Sequence, residues 1–366
     1  MSSALTTLAS WLEHPVVQAP MAGGASCPEL AAAVCESGGV GFLAAGLNSP
    51  AAMRREIGRL RELTGRPFGV NLFVPPPAGG PDTGAAVEAY RERLAGEAAR
   101  YGTELGETET GRSGHDAYEA KLAALLDDPV PLVSFTFGCP PRGVLAELAG
   151  AGTLTAVTVT SAAEARAAEE AGAGVLCVQG VEAGGHQGTH RDDPAADRPG
   201  AGTGLLTLLA QVRAGATAPL IAAGGLMRGE QIAAVLAAGA VAAQLGTAFL
   251  ACPESGAHEL HKRALTDPAF TRTELTRAFT GRPARGLVNR FMTEHGAHAP
   301  AAYPQVQQLT APLRRAAAAA GDPQALPLWA GQGHRLARPL PAAELVAALA
   351  GELAAARAAL TAGRAR

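Results

Sequence analysis

The chain has 366 residues, of which 48% are hydrophobic, and its 30 lysines and arginines stand against 33 acids for a formal net charge of −3. That balance offers no general attraction to nucleic acid or anionic lipid, and no apolar run reaches the roughly 18 uninterrupted residues of a membrane span. The opening MSSALTTLASWLEHP has no basic segment leading into an apolar one, so a cytoplasmic globular protein without a signal peptide is expected.

In chain order, short apolar runs alternate with segments of helical spacing. VVQAPM (16–21) precedes PELAAAVCESG, GVGFLAAG (39–46) precedes PAAMRREIGRLREL, and FGVNLFV (68–74) precedes a proline- and glycine-rich stretch beginning VPPPAGGPDTG. LVSFTFG (132–138), LTAVTVT (154–160), GVLCVQG (174–180) and PLIAAGG (219–225) are each followed by one helical pattern, and VAAQLGTAFL (241–250) completes the set. Each run is too short for a helix and suits a strand buried on both faces. Stops at Ser37-Gly38-Gly39, Ala149-Gly150, Ala171-Gly172 and Ala238-Gly239 predict left-handed glycines ending four of the helices.

Eight such units predict an α/β fold, a (β/α)8 TIM barrel, rather than an open sheet, since the first turn, PMAGGAS, matches G-x-G-x-x-G poorly. The barrel is expected over 1–75 and 127–252, with a helical excursion at 76–126 and a smaller, mainly helical substrate domain at 253–335. Residues 336–366 are expected to form a C-terminal helix, with leucines at 345, 349, 353 and 360, that packs back on the barrel.

Barrel enzymes build their sites at the C-terminal ends of the strands, with phosphates commonly held after strands seven and eight. Those ends read IAAGGL, with Gly224 and Gly225, and QLGTAF, with Gln244, Gly246 and Thr247. They suit a phosphate-bearing cofactor or, more plainly, tight turns. Met21, Asn71 and Gln179 lie at other strand ends; the two amides can bond a planar heterocycle or cap neighbouring backbone. After strand six, VQGVEAGGHQGTH lets the chain pass close to a flat cofactor at Gly184 and Gly185 and projects His186 over it. His186 is therefore either a general base, with an ordinary imidazole value near ~6.5, or an incidental loop histidine. His190 heads the solvated loop RDDPAADRP.

Other groups point away from special chemistry. His258-Glu259-Leu260-His261 lacks the i, i+4 imidazole spacing of a zinc helix, and no metal is expected. His295 and His298 flank a glycine and read as loop. Cys27, Cys35, Cys139, Cys177 and Cys252 are scattered and form no C-x-x-C pair, so they read as buried free thiols. Arg272, Arg277, Arg282, Arg285 and Arg290 form a basic run, read as a salt-bridged surface helix or as a positive rim for an anionic substrate.

The segments VVQAPMAGGAS, GGVGFLAAG, PFGVNLFVP, VQGVEAGGHQGTHRDD, PLIAAGGLMRGEQIAAVLAAGAVAAQLGTAFLACPES, AFTGRPARGLVNRF and LWAGQG together resemble the bacterial class I nitronate monooxygenases, also called 2-nitropropane dioxygenases. The resemblance covers nearly the whole chain. It implies an FMN-dependent barrel in which Met21, Asn71, Gln179, Gly184, Gly224, Gly225, Gln244, Leu245, Gly246 and Thr247 hold FMN and His186 faces its reactive side. Tyr303, in AAYPQV, is similar to a tyrosine near the substrate pocket, and Thr136 stands where some relatives carry a histidine that touches substrate. The expected reaction oxidises alkyl nitronates, and nitroalkanes among them, with O2 to an aldehyde or ketone plus nitrite. Two alternatives are an FMN-dependent NAD(P)H:quinone or enoyl-thioester reductase and a phosphate-binding barrel without chemistry. A homodimer is the candidate assembly.

Overall fold

The computed structural model describes residues 3–76, 82–108, 117–194 and 202–363. Its strands are β1 (Val16–Gln18), β2 (Phe42–Ala44), β3 (Gly69–Phe73), β4 (Leu132–Thr136), β5 (Leu154–Val159), β6 (Val175–Gln179), β7 (Gly185–His186), β8 (Leu220–Ala223), β9 (Ala242–Leu245), β10 (Thr273–Thr276) and β11 (Ala284–Leu287). Eight of them form one sheet in the order β1-β9-β8-β6-β5-β4-β3-β2, and every pairing within it is parallel. The two ends of that sheet meet where Val17 bridges Val40, just before β2, and the Gln18 amide donates to Val40 O at 2.9 Å. The result is the expected barrel. All eight predicted runs supply its strands.

Parallel strands need covering on both faces, and the residues supply it. Val17, Val40, Phe42, Leu132, Ala156, Val175, Ile221 and Ala242 pack with Leu8 in one buried cluster, while alternate residues such as Val70, Val133, Val157 and Leu176 pack against the surrounding helices. The helix Pro50–Leu63 starts where the Ser49 hydroxyl accepts from the Ala52 amide at 3.2 Å, and Ser161 caps Ala162–Ala171 in the same way. Gly38, Gly172 and Gly239 have φ of 81°, 100° and 103°, as their stops predict. The fourth stop lies elsewhere. Gly150 is the last helical residue of Arg142–Gly150, and the left-handed position is Gly152, at φ 83°.

The segment between β3 and β4 divides its loyalty. Its helix Gly84–Arg100 sends Val87, Tyr90 and Leu94 into a second core with Phe279, Phe291, Leu309 and Leu313, and the Tyr90 hydroxyl donates to Ala278 O at 2.8 Å. Its helix Tyr118–Asp127 places Leu122 and Leu125 in the barrel's own core. The buried Lys121 ammonium donates to Ala45 O and Gly46 O, both at 2.9 Å, and so ties that helix to the loop after β2. Part of the proline- and glycine-rich stretch (77–81) and part of the loop predicted after His190 (195–199) lie outside the described residues.

Residues 253–335 cap the barrel mouth with the helices Glu259–Thr266, Arg290–His295 and Gln305–Ala319 and with a hairpin, β10–β11. The basic run is therefore not a surface helix. Arg277, Arg282 and Arg285 sit on or beside that hairpin and are only 5–8% exposed. Buried guanidinium groups need partners, and Arg277 forms a bidentate pair with Asp192 at 2.6 and 2.9 Å, while Arg285 Nε donates to Val181 O at 2.9 Å. His295 ends a helix and is buried beside Glu97, which Arg290 holds through 2.6 and 2.8 Å bonds. All five cysteines are free thiols; Cys35, Cys177 and Cys252 are buried, and Cys27 and Cys139 half-buried.

The last helix, Ala342–Gly363, is by length and composition apolar enough to cross a bilayer. Here Leu345, Val346, Leu349 and Leu353 are buried against the barrel helices Pro28–Glu36 and Gly229–Ala237. Glu352 fixes the docking, because its carboxylate accepts from the Gly229 amide at 2.8 Å and pairs with Arg338.

Candidate active site

A cavity of about 360 Å³ opens at the C-terminal ends of the strands, between the barrel and its cap. Met21, Asn71, Thr136, Gln179, Gly184, His186, Gly224, Gly225, Gln244, Gly246 and Thr247 all line it. Leu245 does not, because strand alternation turns its side chain into the core. No described carboxylate lines the cavity, whereas His186, His258, His261 and Arg314 do.

At one end lies a cradle of backbone. Gly224 and Gly225 follow β8 with φ of 122° and 68°, conformations that ordinary side chains resist. A Cβ on Gly224 would sit 3.1 Å from Gly180 O, and one on Gly331 would sit 2.8 Å from Glu182 O and 3.4 Å from the Thr247 hydroxyl, so bulk is excluded on both sides. Among the described residues the N–H groups of Gly225, Gly246 and Thr247 meet no protein acceptor. The Thr247 hydroxyl accepts from the Gly331 amide at 2.9 Å, leaving its own proton free to donate. Unpaired donors converging in a space without acids fit a phosphate group.

The amides at the other strand ends behave differently from one another. Asn71 Nδ2 donates to Ser134 Oγ at 2.9 Å and Thr136 Oγ1 at 3.0 Å, which leaves its carbonyl oxygen without a protein partner beside the cavity. Gln179 is engaged at both ends, since its Oε1 accepts from the Gly188 amide at 2.7 Å and its Nε2 donates to His186 O at 3.3 Å. It shapes the loop that carries His186. Gln244 Nε2 donates to Cys177 Sγ at 3.3 Å, and burial holds that thiol protonated, pushed up to about 12.

That loop is gripped from the cap. His186 and Gly185 form β7, which pairs antiparallel with β11 in the register His186↔Ala284, and the Gln187 amide donates to Pro283 O at 2.9 Å. Arg282 Nη2 donates to Thr189 O, and Nε2 of the His186 ring lies 3.0 Å from the Thr280 hydroxyl. Thr280 Oγ1 itself lies 3.2 Å from Arg282 O, so it can donate there while accepting from His186 Nε2–H. Nδ1 then stays unprotonated and without a protein partner. Burial, and after it the charges of Arg282 and Arg314, lower the imidazole to about 3. The value near ~6.5 expected for an unperturbed ring does not hold here, because the cation would stand in a cavity that is already positive.

Phe137 and Trp329 wall the His186 end, with centroids 5.5 and 5.8 Å from the imidazole. Tyr303 does not line the cavity; its ring packs against both His186, at 5.8 Å, and Phe137, at 5.7 Å. Thr136 Oγ1, 3.4 Å from Thr158 Oγ1, supplies a small polar floor beside them. His190 faces elsewhere, its ring on Thr158 O at 2.9 Å. His258 caps the helix Glu259–Thr266, and His261 Nε2 bonds Trp329 O at 2.8 Å, so the pair holds cap structure in place. Thr280, Trp329 and Gly331 carry no residue-level signal of their own although they lie in segments quoted for the resemblance, and Arg282 stood out only as part of the basic run. Phe137 and Arg314 carried no such signal.

A family model described as nitronate monooxygenase matches residues 3–352. The nitronate monooxygenases of Paraburkholderia phytofirmans and Pseudomonas aeruginosa are 43% and 40% identical to the chain over 348 residues; these cover 93% of the chain and 93% and 97% of the two relatives. The solved nitroalkane oxidase from Streptomyces ansochromogenes is 66% identical with a TM-score of 0.93, covering 96% of this chain and 99% of that one. FabK from Thermotoga maritima is 27% identical with a TM-score of 0.75 and covers 99% of each chain. With this match along nearly its whole length, the chain belongs to the nitronate monooxygenase family.

Proposed function

We propose that the chain is an FMN-dependent monooxygenase that oxidises alkyl nitronates, and more slowly neutral nitroalkanes, with O2 to an aldehyde or ketone plus nitrite. The observation that carries this reading is a neutral, partnered imidazole facing an acid-free cavity beside a cradle of unpaired backbone donors. When bound, FMN supplies the electron transfer between substrate and O2. Gly224, Gly225, Gly246 and Thr247 would hold its phosphate, and the Asn71 carbonyl would be an acceptor available to its ring system.

The remaining work falls to the chain's own groups. Arg314 and Arg282 give the cavity a positive potential that favours an anionic nitronate over its neutral acid. Thr280 fixes the His186 tautomer with the proton on Nε2, so that Nδ1 takes the α-proton of a neutral nitroalkane. The aromatic wall keeps water from the reacting carbon. A conjugate acid titrating near 3 makes His186 a weak base, which suits a substrate that arrives already ionised.

The test is spectroscopic. Purified protein should be yellow with an FMN spectrum, ethylnitronate should bleach it rapidly without oxygen, and air should then yield nitrite. Protein that takes up no FMN refutes the cofactor assignment. Rapid bleaching by NADH or NADPH, with no nitrite from nitronates, moves the protein to the reductase class.

A further inference from the structure

Phe137, the residue after β4, has φ of 74°, in the left-handed region that a bulky side chain occupies only when its surroundings force it to. Glycine would suit this backbone, and the next residue is Gly138. A benzyl group is held there instead. Its ring packs on Phe73 with centroids 4.5 Å apart and meets Tyr303 at 5.7 Å, while the Arg282 guanidinium lies 4.0 Å over its centroid. Arg282 is itself buried, and its Nε has no partner, so the ring face is a principal neighbour of that charge. With Phe73, Tyr303 and Arg282 all against it, this ring cannot swing aside.

The same ring meets His186 edge-on, at 5.5 Å and 88°, and lines the cavity. A substrate whose α-carbon lies within reach of His186 Nδ1 must send its alkyl tail along the rings around that imidazole. Trp329 approaches similarly, at 5.8 Å, but belongs to the cap segment that follows Pro327 rather than to the barrel. We propose that Phe137 is the specificity-determining wall of the substrate chamber and limits the length of the alkyl tail the site accepts. This rests on the nitronate chemistry proposed above. The strained backbone and the rings packed on it hold Phe137 in the tail's path, and its removal opens the volume that the benzyl group fills.

The experiment compares wild type, Phe137→Leu, Phe137→Ala and Trp329→Leu, each loaded with FMN. Nitrite release is measured as kcat/KM across nitronates from ethyl to hexyl. In parallel, unreactive straight-chain carboxylates of the same lengths are titrated against the flavin spectrum, because a carboxylate matches the shape of the nitro group and cannot be oxidised. Burial of each further methylene favours binding by about fourfold. Phe137→Ala should therefore raise the hexyl-to-ethyl ratio on the order of tenfold or more in both series, with Phe137→Leu in between. A ratio within about twofold of wild type, or a shift confined to Trp329→Leu, overturns the proposal. Phe137→Gly removes the same ring while suiting the backbone, and it replaces the alanine variant if that variant loses flavin. Failure of the proposed function has its own signature: wild type that makes no nitrite from ethylnitronate sinks the reaction, whereas the carboxylate series still reads the wall.

Discussion

Replacing His186 by Asn separates proton removal from every other role of the ring. Asparagine keeps a polar group opposite the Thr280 hydroxyl, which lies 3.0 Å from the native Nε2, but it cannot accept the α-proton. A positioned base contributes roughly 10²–10⁴-fold. The imidazole here is lowered to about 3 by burial and by Arg282 and Arg314, which weakens it as a base. The expected loss on nitroethane is therefore at the low end, about 10²-fold. On preformed ethylnitronate the α-proton is already gone, and the loss should stay within about threefold. The assay is the initial rate of nitrite release from each substrate, normalised to bound flavin. A ring that titrates near 3 is neutral at every working pH, so the wild-type rate on nitroethane should show no rise centred near ~6.5. Equal losses on both substrates, or such a rise, would refute the reasoning.

Thr247→Val removes the free hydroxyl donor at the cradle and its bond to the Gly331 amide; the apoprotein should bind FMN about tenfold more weakly by fluorescence titration, and an unchanged Kd would place the phosphate elsewhere. Arg290→Met strands Glu97, 7% exposed, and should cost about 2–3 kcal/mol in urea unfolding; a loss below ~0.5 kcal/mol would show that Arg100 and His295 compensate. His186 and His261 are lowered by burial to about 3 and about 4, so between those values and ~6.5 the unfolded chain binds more protons than the native one. Their contribution to stability is complete above ~6.5 and is lost as pH falls through that window. His261→Gln keeps a donor for Trp329 O and cannot titrate; its melting temperature should fall less than that of wild type between pH 7 and 4.5, and parallel curves would count against a neutral buried His261.

The barrel could be read from the chain because its signals are local. Pro50 and Leu63 bound a helix in sequence and structure alike, since a serine cap and an apolar stripe at Met53, Ile57 and Leu60 act within a few turns. The same holds for Gly224, Gly225 and Thr247, whose place after the last two barrel strands follows once the repeats are counted. The one stop that missed, Gly150 in place of Gly152, differs by two residues, within which either glycine could end the helix.

The cap hairpin was hidden because TELT and ARGL are four residues each, too short for a period to show, and because the arginines in and around them resemble a solvated face. What makes them otherwise is tertiary. Asp192, which holds Arg277, lies 85 residues away in sequence, and Val181, whose carbonyl holds Arg285 Nε, lies 104 away. Arg282 is accommodated by Thr189 O and the face of Phe137, neither of which is an acid. A guanidinium that pairs with a carboxylate leaves a charge pattern to search for, but one satisfied by backbone carbonyls leaves none, because every residue has a carbonyl. The His186 environment follows from the same fact: burial and, after it, Arg282 and Arg314 depress its basicity, and both cations come from the cap, about 96 to 128 residues further along the chain.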